Sequence, residues 1–279
     1  MTAISILEKY ENSGLICYYK IRDSSGTTYI VSKEYLLENT DRYYIDSKMS
    51  IDGKILSSSH IPTVKLNYKT VYHGSSNVVS KPVYGYGKRE NDYGIGFYCT
   101  ENLNLAREWS CSSGVSGVVN RYTLILNGLN ILILKKNSQR DILTWLSILL
   151  ENRTFNIEGK LAQNAKEYIL KNYRVNYKDY DVIVGYRADD SYFRYARDFI
   201  SGVISYEKFS NAIFLGKLGM QVVLKSRKAF FQIVFTGSRS VSGEYISRYL
   251  KRDENARLDY RRMKDNGNTT IFDIMEANK

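Results

Sequence analysis

The sequence predicts an α+β fold in three parts. Residues 1–62 form a small α+β accessory or docking module, residues 64–238 a larger mixed domain, and residues 239–279 a charged helical extension. Three observations predict this. Runs such as VKLNYKTVY, at 64–72, alternate apolar and polar residues with the period of a half-buried strand. Stretches of helical length that open on Ser or Thr, such as SYEKFSNAIFLG, are interspersed with these runs. Finally, 279 residues at 43% hydrophobic content are enough for a proper core, and only two prolines imply short, compact connections.

In the N-terminal part, ICYYKIRD and TTYIVS read as strands, with SSG as the turn between them. KEYLLENT reads as a short helix, SIDGK as a turn, and the polar, Pro-marked SSSHIPT as a linker that leaves His60 at the surface.

The larger domain opens on the strand at 64–72. Residues 81–96, KPVYGYGKRENDYGIG, are glycine-rich and charged, which reads as a loop. FYCT is a short strand, and ENLNLAREWS a helix whose start is marked by Thr100, with Glu101 in the first turn. RYTLIL and NILIL read as a strand pair. Helices follow at 139–151 and 160–172, then the buried strand YDVIVG. SYFRYARDFISG and SYEKFSNAIFLG are helices with Ser at the cap, and Asp189 and Asp190 most simply belong to the first of these caps. QVVLKS and FFQIVFT are strands separated by a turn at RKA. From Arg239 to Lys264, eight Lys or Arg outnumber four acids, so this segment is a solvated helix with a basic surface.

A net charge of +11 and an isoelectric point near 9.3 suit a polyanion such as nucleic acid, or an acidic protein partner, as well as a generally lysine-rich surface. Cys17, Cys99 and Cys111, with only two histidines in the chain, do not have the spacing of a zinc site, so no metal is expected. The apolar runs LILNGLNILIL and ILTWLSILL are too short to span a bilayer, and the N-terminus lacks the apolar stretch of a signal peptide. The expectation is a cytoplasmic protein without a membrane partner. Tyr, at 25 residues, dominates the aromatic content and suits both β-rich packing and wet binding surfaces.

The chemistry-bearing residues fall in three stretches: YHGS at 72–75, YGIGFYCTENLNLAREW at 93–109, and MQVVLKSRKAFFQIVF at 220–235. Alone, each has a plain reading: His73 finishing a strand before a Gly74 turn, Trp109 on the buried face of a helix, Tyr98 one tyrosine among many. Together, in this order and at these separations, they resemble the ADP-ribosyltransferase superfamily on its diphtheria-toxin/poly(ADP-ribose) polymerase-like branch. The likeness is greatest to a bacterial family of ADP-ribosyltransferase-like domains and covers roughly residues 69–236. It rests on His73-Gly74-Ser75, on Gly94-Ile95-Gly96-Phe97-Tyr98 with Trp109 eleven residues beyond Tyr98, on YDVIVGYRADD, and on Gln221 at the start of a late strand.

The resemblance implies a split, mixed β-core of two packed sheets surrounded by helices, with NAD as co-substrate in the cleft between the sheets. It implies a mono-ADP-ribosyltransferase acting on a macromolecular acceptor, protein or nucleic acid. A bacterial or phage effector or toxin, with an antitoxin or regulatory protein as a possible partner, is the context it suggests. His73, Tyr98 and Gln221 are the implied catalytic residues, and His73, Gly74, Ser75, Tyr98 and Trp109 the implied NAD-binding residues.

These residue types suit the chemistry. Cleavage of the nicotinamide–ribose bond passes through an oxocarbenium-like state, and its leaving group is already a cationic pyridinium, so clamping both halves matters more than a strong acid. The resemblance implies that Gly74 lets backbone approach the carboxamide, that Tyr98 and Trp109 flank the ring, that His73 bonds a ribose hydroxyl, and that Ser75 supports nearby polar groups.

Gln221 departs from the glutamate common at this position: it can hold a hydroxyl but cannot act as a base or carry charge. This disfavours chain elongation and leaves mono-transfer. Gln232, eleven residues on and flanked by apolar residues, is the competing candidate. Two alternatives to an enzyme stand beside this reading: a catalytically silent module that binds NAD or ADP-ribose, and a basic nucleic-acid-binding protein.

Overall fold

The computed structural model describes residues 2–12, 15–38, 43–45, 63–111, 115–135, 138–154, 156–188, 190–215 and 219–277. The expected turn at 50–54, the linker up to residue 62, His60 and Asp189 lie outside the described residues.

The N-terminal strands are β1 (Thr2–Asn12), β2 (Leu15–Asp23), β3 (Thr28–Ser32), β4 (Tyr43–Ile45) and β5 (Thr63–Lys65), with helix α1 (Lys33–Glu38) after β3. They form one sheet in the order β3-β2-β1-β4, and β5 also pairs with β1. The β2–β3 hairpin forms as the sequence predicts: the Asp23 carboxylate accepts from the backbone of Ser25 and Thr27, and Gly26 takes the positive φ of +85°. Strand β1 is a gain over the sequence reading. A register shift between Ile6 and Glu8 breaks its two-residue period, and Glu8 is accommodated by Lys20 at 2.8 Å on β2. Tyr10 and Ile30 of this sheet cluster with Leu66 and Ile125 of the larger part of the chain.

The remaining elements, in order, are β6 (Tyr68–Ser75), β7 (Phe97–Cys99), α2 (Leu103–Ser110), β8 (Gly117–Ile125), β9 (Ile131–Ile133), α3 (Gln139–Asn152), α4 (Lys160–Asn172), β10 (Val182–Tyr186), α5 (Asp190–Ile200), α6 (Tyr206–Ala212), β11 (Met220–Leu224), α7 (Arg227–Phe231), β12 (Ile233–Val241), α8 (Tyr245–Arg262) and α9 (Ile271–Glu276). The class is α+β, as expected. The strands fall into an antiparallel sheet β12-β8-β6 and a mixed sheet β7-β11-β10-β9, in which only β9 and β10 are parallel.

One core lies between these sheets: Val71, Tyr122, Leu124 and Ile233 meet Cys99, Val182, Val222 and Leu224. The other face of the mixed sheet, through Ile183 and Val223, carries the larger helical core of Trp145, Leu146, Phe199, Phe209 and Ile271. Burial on both faces explains why β10 and β11 read as continuous apolar runs. Among the described residues no helix is long and apolar enough to cross a membrane.

Several expected boundaries shift. The run at 64–72 is two elements, because β5 pairs with β1 while β6 pairs with β8, and β6 continues to Ser75. Helix α2 is capped by Asn102, whose Oδ1 accepts from the N–H groups of Asn104 and Leu105; Thr100 is instead tied into the sheet, and Glu101 pairs with Lys69. RYTLIL and NILIL do not pair: β8 and β9 belong to different sheets. RKAFF is helix α7, capped by the Ser226 hydroxyl at the Ala229 N–H, so Phe230 and Phe231 are not strand residues. Helix α5 starts at Asp190, one residue before Ser191. Residues 239–241 complete β12, and Tyr260, Ile271 and Ile274 of the C-terminal segment belong to the helical core.

Candidate functional site

The site is built where the two central sheets touch. Tyr72 and Thr100 each donate a backbone N–H to the other's carbonyl, at 2.8 and 2.9 Å, which stitches β6 to the end of β7. Beyond this bridge, His73, Gly74 and Ser75 pair in register with Asn120, Val119 and Val118 of β8. Gly74 is therefore a strand residue rather than a turn.

Its lack of a side chain has a specific use. A Cβ at Gly74 would collide with the Ala106 carbonyl oxygen of α2 and sit 2.6 Å from the Ser110 nitrogen and 2.9 Å from the Trp109 Cβ. The glycine lets α2 lie backbone to backbone on β6, and so it sets where Trp109 stands.

His73 Nδ1 lies 2.7 Å from the Tyr98 carbonyl oxygen, and its ring packs 4.5 Å from that of Phe97. A carbonyl only accepts, so Nδ1 carries the proton and Nε2 is left as an acceptor in the neutral ring. Burial pushes the His73 pKa down, against the opposing pull of that hydrogen bond, which favours this neutral form.

Tyr98 is half-buried. Its hydroxyl donates to the Gly94 carbonyl at 2.6 Å and accepts from the Tyr93 N–H at 3.1 Å. Burial raises its pKa, so the phenol stays protonated. The turn that holds it is braced from behind by Lys225, which donates to the carbonyls of Tyr93 and Ile95.

Ser75 donates to the Asn77 carbonyl at 2.7 Å and accepts from Asn120 Nδ2 at 2.9 Å. Asn120, fully buried on β8, also accepts from the Val79 N–H, and Tyr122 donates to the Val79 carbonyl. Ser75 and β8 together anchor the start of the glycine-rich loop.

Gln221 is the second residue of β11 and is 5% exposed. Its Nε2 donates to Asp92 Oδ2 at 3.3 Å, while its Oε1 is buried with no hydrogen-bond partner among the described residues. Asp92, also 5% exposed, accepts from the Ala188 N–H at 2.9 Å and lies 3.6 Å from Arg153. Burial lifts its pKa to about 6, against the pull of the Ala188 N–H, Arg153 and Arg187. The competing glutamine is placed elsewhere: Gln232 caps α7 and donates to the carbonyls of Ile125 and Asn127 at 2.9 and 3.1 Å, and although its Oε1 is likewise buried without a partner among the described residues, it does not line the cleft that Gln221 lines.

All six residues singled out in the sequence, His73, Gly74, Ser75, Tyr98, Trp109 and Gln221, line one cleft of about 750 Å³. Lys81, Lys88 and Arg187 line it too, and the Arg187 guanidinium lies 5.3 Å over the Trp109 ring. A volume of this size is in the usual range for a small-molecule or cofactor site, and the three cations suit a ligand carrying phosphates. A smaller hollow of about 270 Å³ adjoins it behind Gln221, lined by Asp92, Arg153, Arg187 and Tyr249. Sequence reasoning missed Asp92, Arg187 and Asn120. Asp92 is 129 residues from Gln221 and only the fold joins them. Among the described residues no group of three or more His, Cys, Asp or Glu is placed to hold a metal, and Cys99 and Cys111 are free and buried.

Residues 69–235 match the model of a protein family described as "Protein of unknown function (DUF3990)", a match covering more than half of the chain and reaching from β6 into β12. No curated protein and no solved structure matches the chain.

Proposed function

This chain belongs to the DUF3990 family, and we propose that it is an NAD-dependent mono-ADP-ribosyltransferase. The observation that carries the reading is convergence: His73 from β6, Tyr98 from β7, Trp109 from α2 and Gln221 from β11 line one cleft, and the side-chain carbonyl oxygen of Gln221 has no hydrogen-bond partner among the described residues. An unpaired buried acceptor costs stability unless something fills it, and a ligand hydroxyl is a donor of the right kind.

In this reading the bond that breaks is the C1′–N glycosidic bond between ribose and nicotinamide in NAD. Its electron pair leaves with nicotinamide, and the ribose C1′ is taken by an acceptor nucleophile that gives up a proton. Tyr98 and Trp109 offer the aromatic faces between which a nicotinamide ring is held. His73 Nε2 accepts from a ribose hydroxyl, and Gln221 Oε1 accepts from another beside the carbon where positive charge develops. Lys81, Lys88 and Arg187 face the pyrophosphate. The ADP-ribosyltransferase type of core, with two sheets flanking the cleft, is part of the same proposal. So are a macromolecular acceptor and an effector or toxin role in the cytoplasm.

A second reading is favoured by one specific feature. Gln221 is neutral, which suits a silent module that binds NAD without cleaving it. Nicotinamide release by the wild type, Tyr98→Ala and Gln221→Ala, with and without cell lysate as a source of acceptors, separates the two. Release that both substitutions abolish and lysate stimulates supports the transferase. No release, with an NAD-dependent thermal shift lost in Tyr98→Ala, supports the binding module. Neither release nor a shift removes both.

A further inference from the structure

A carboxamide can lie either way round in density of packing alone, because its oxygen and nitrogen have nearly the same size. At Gln221 the neighbour decides. Asp92 Oδ2 is 3.3 Å from Nε2, and an ionised carboxylate accepts but never donates. The reversed amide would set its carbonyl oxygen against that carboxylate oxygen, two acceptors with no proton between them.

Asp92 itself has little freedom. The same Oδ2 accepts from the Ala188 N–H at 2.9 Å, and Oδ1 lies 3.6 Å from Arg153 Nε. Its backbone opens the Tyr93–Gly94 turn whose carbonyl holds the Tyr98 hydroxyl. The consequence is visible on the other end of the amide, where Oε1 is buried and without a partner among the described residues, in a side chain that lines the cleft.

We infer that Asp92 is a positioning residue for Gln221, turning its amide so that the carbonyl oxygen is the atom offered to a donor hydroxyl of the ligand. The pair does in two residues what a single glutamate does in one: Gln221 supplies the acceptor oxygen, and the negative charge stands one side chain further back. The inference rests on the proposed function only for the identity of the hydroxyl, a ribose hydroxyl of NAD.

The test is a double-substitution cycle on the full chain, read as NAD affinity by titration calorimetry. Asp92→Ala and Gln221→Ala are each expected to weaken binding at least tenfold, and the double variant to bind no more weakly than the poorer single one, because both remove the same contact. Asp92→Asn keeps an acceptor oxygen and is expected to stay within threefold of wild type. Losses that add in the double variant, Asp92→Ala binding like wild type, or Asp92→Asn failing as badly as Asp92→Ala would each overturn the inference.

A readout without ligand keeps it separate from the NAD reading and from any folding failure of Asp92→Ala. The side-chain amide protons of Gln221, identified by their loss in Gln221→Ala, are expected in the wild-type nuclear magnetic resonance spectrum as one shifted, slowly exchanging proton and one ordinary proton. A pair resembling free glutamine would overturn the inference. If NAD fails to bind while the shifted proton is present, the proposed ligand is wrong and the orienting role of Asp92 stands.

Discussion

His73 and Tyr98, 25 residues apart, are joined by a 2.7 Å hydrogen bond from the imidazole Nδ1 to the Tyr98 carbonyl oxygen. The bond ties the end of one sheet to the edge of the other and fixes the imidazole tautomer.

Replacing His73 by Phe keeps a ring against Phe97 but deletes the Nε2 acceptor. At pH 8 NAD affinity is expected to fall at least tenfold, and the lost Nδ1 bond to the Tyr98 carbonyl is expected to lower the urea midpoint as well. The histidine also has a pH signature. Its folded pKa lies below the ordinary value of about 6.5, so its stabilising contribution is complete above that value and is lost as the pH falls through the depressed one. Acid titration of wild type against His73→Phe measures the difference. A variant that loses stability in acid just as steeply as wild type contradicts it.

Asp92 shifts in the opposite direction. Its pKa is raised to about 6 in the folded chain from 3.8 in the open one, so the folded state binds more protons between these values and stability declines as the pH rises through them. The shift corresponds to on the order of 2–3 kcal/mol. Asp92→Asn removes this titration. Its thermal midpoint relative to wild type is therefore expected to climb from pH 5 to pH 8, and a difference that stays level or shrinks would show that the buried charge is not the cause.

Gly74→Ala is expected to destabilise the fold by about 1–3 kcal/mol, the usual cost of forcing extra atoms into a packed contact. The new methyl group meets the backbone of α2 at Ala106 and Ser110, which has no side-chain rotamer to yield. NAD affinity should fall with it, since the helix that must move carries Trp109. Chemical denaturation together with Trp fluorescence tests both parts, and an alanine variant as stable as wild type would refute the packing account.

The two glutamines separate by their phenotypes. Gln232→Ala strips partners from two carbonyl oxygens and should cost about 1–3 kcal/mol of stability, while leaving NAD affinity of the folded protein within twofold. Gln221→Ala should do the reverse. Urea titration paired with calorimetry on both variants is the measurement, and matching profiles would refute the assignment of separate roles.

Much of this was legible in the chain and some was not, for identifiable reasons. Local signals survived: the hairpin turn at Gly26, the Ser205 cap whose hydroxyl accepts from the Lys208 N–H, and the helices α3 and α4 all follow from chemistry within a few residues. Misreadings occurred where a partner distant in sequence decides the outcome. RYTLIL and NILIL, with only three residues between them, join different sheets: the first pairs with β6 and β12, the second with β10. RKAFF follows its Ser226 cap into a helix despite its β-prone aromatics. The three motif stretches identified the six lining residues, because each carries an unusual residue type. Asp92 lay unnoticed inside NDYGIG, since nothing nearby distinguishes a carboxylate that reaches a glutamine 129 positions away from one that faces water.

The bridge between Tyr72 and Thr100 has a consequence for how sequence can drift around the cleft. Both of its hydrogen bonds are made by main-chain atoms, and every residue except proline brings the same two groups. The seam itself therefore asks nothing of the side chains at 72 and 100 beyond excluding proline, and the demands on them come from elsewhere: Thr100 is buried with its hydroxyl accepting from the Asn102 N–H, and Tyr72 packs on a core cluster. The seam is written in the grammar of the backbone rather than in the words on either side of it.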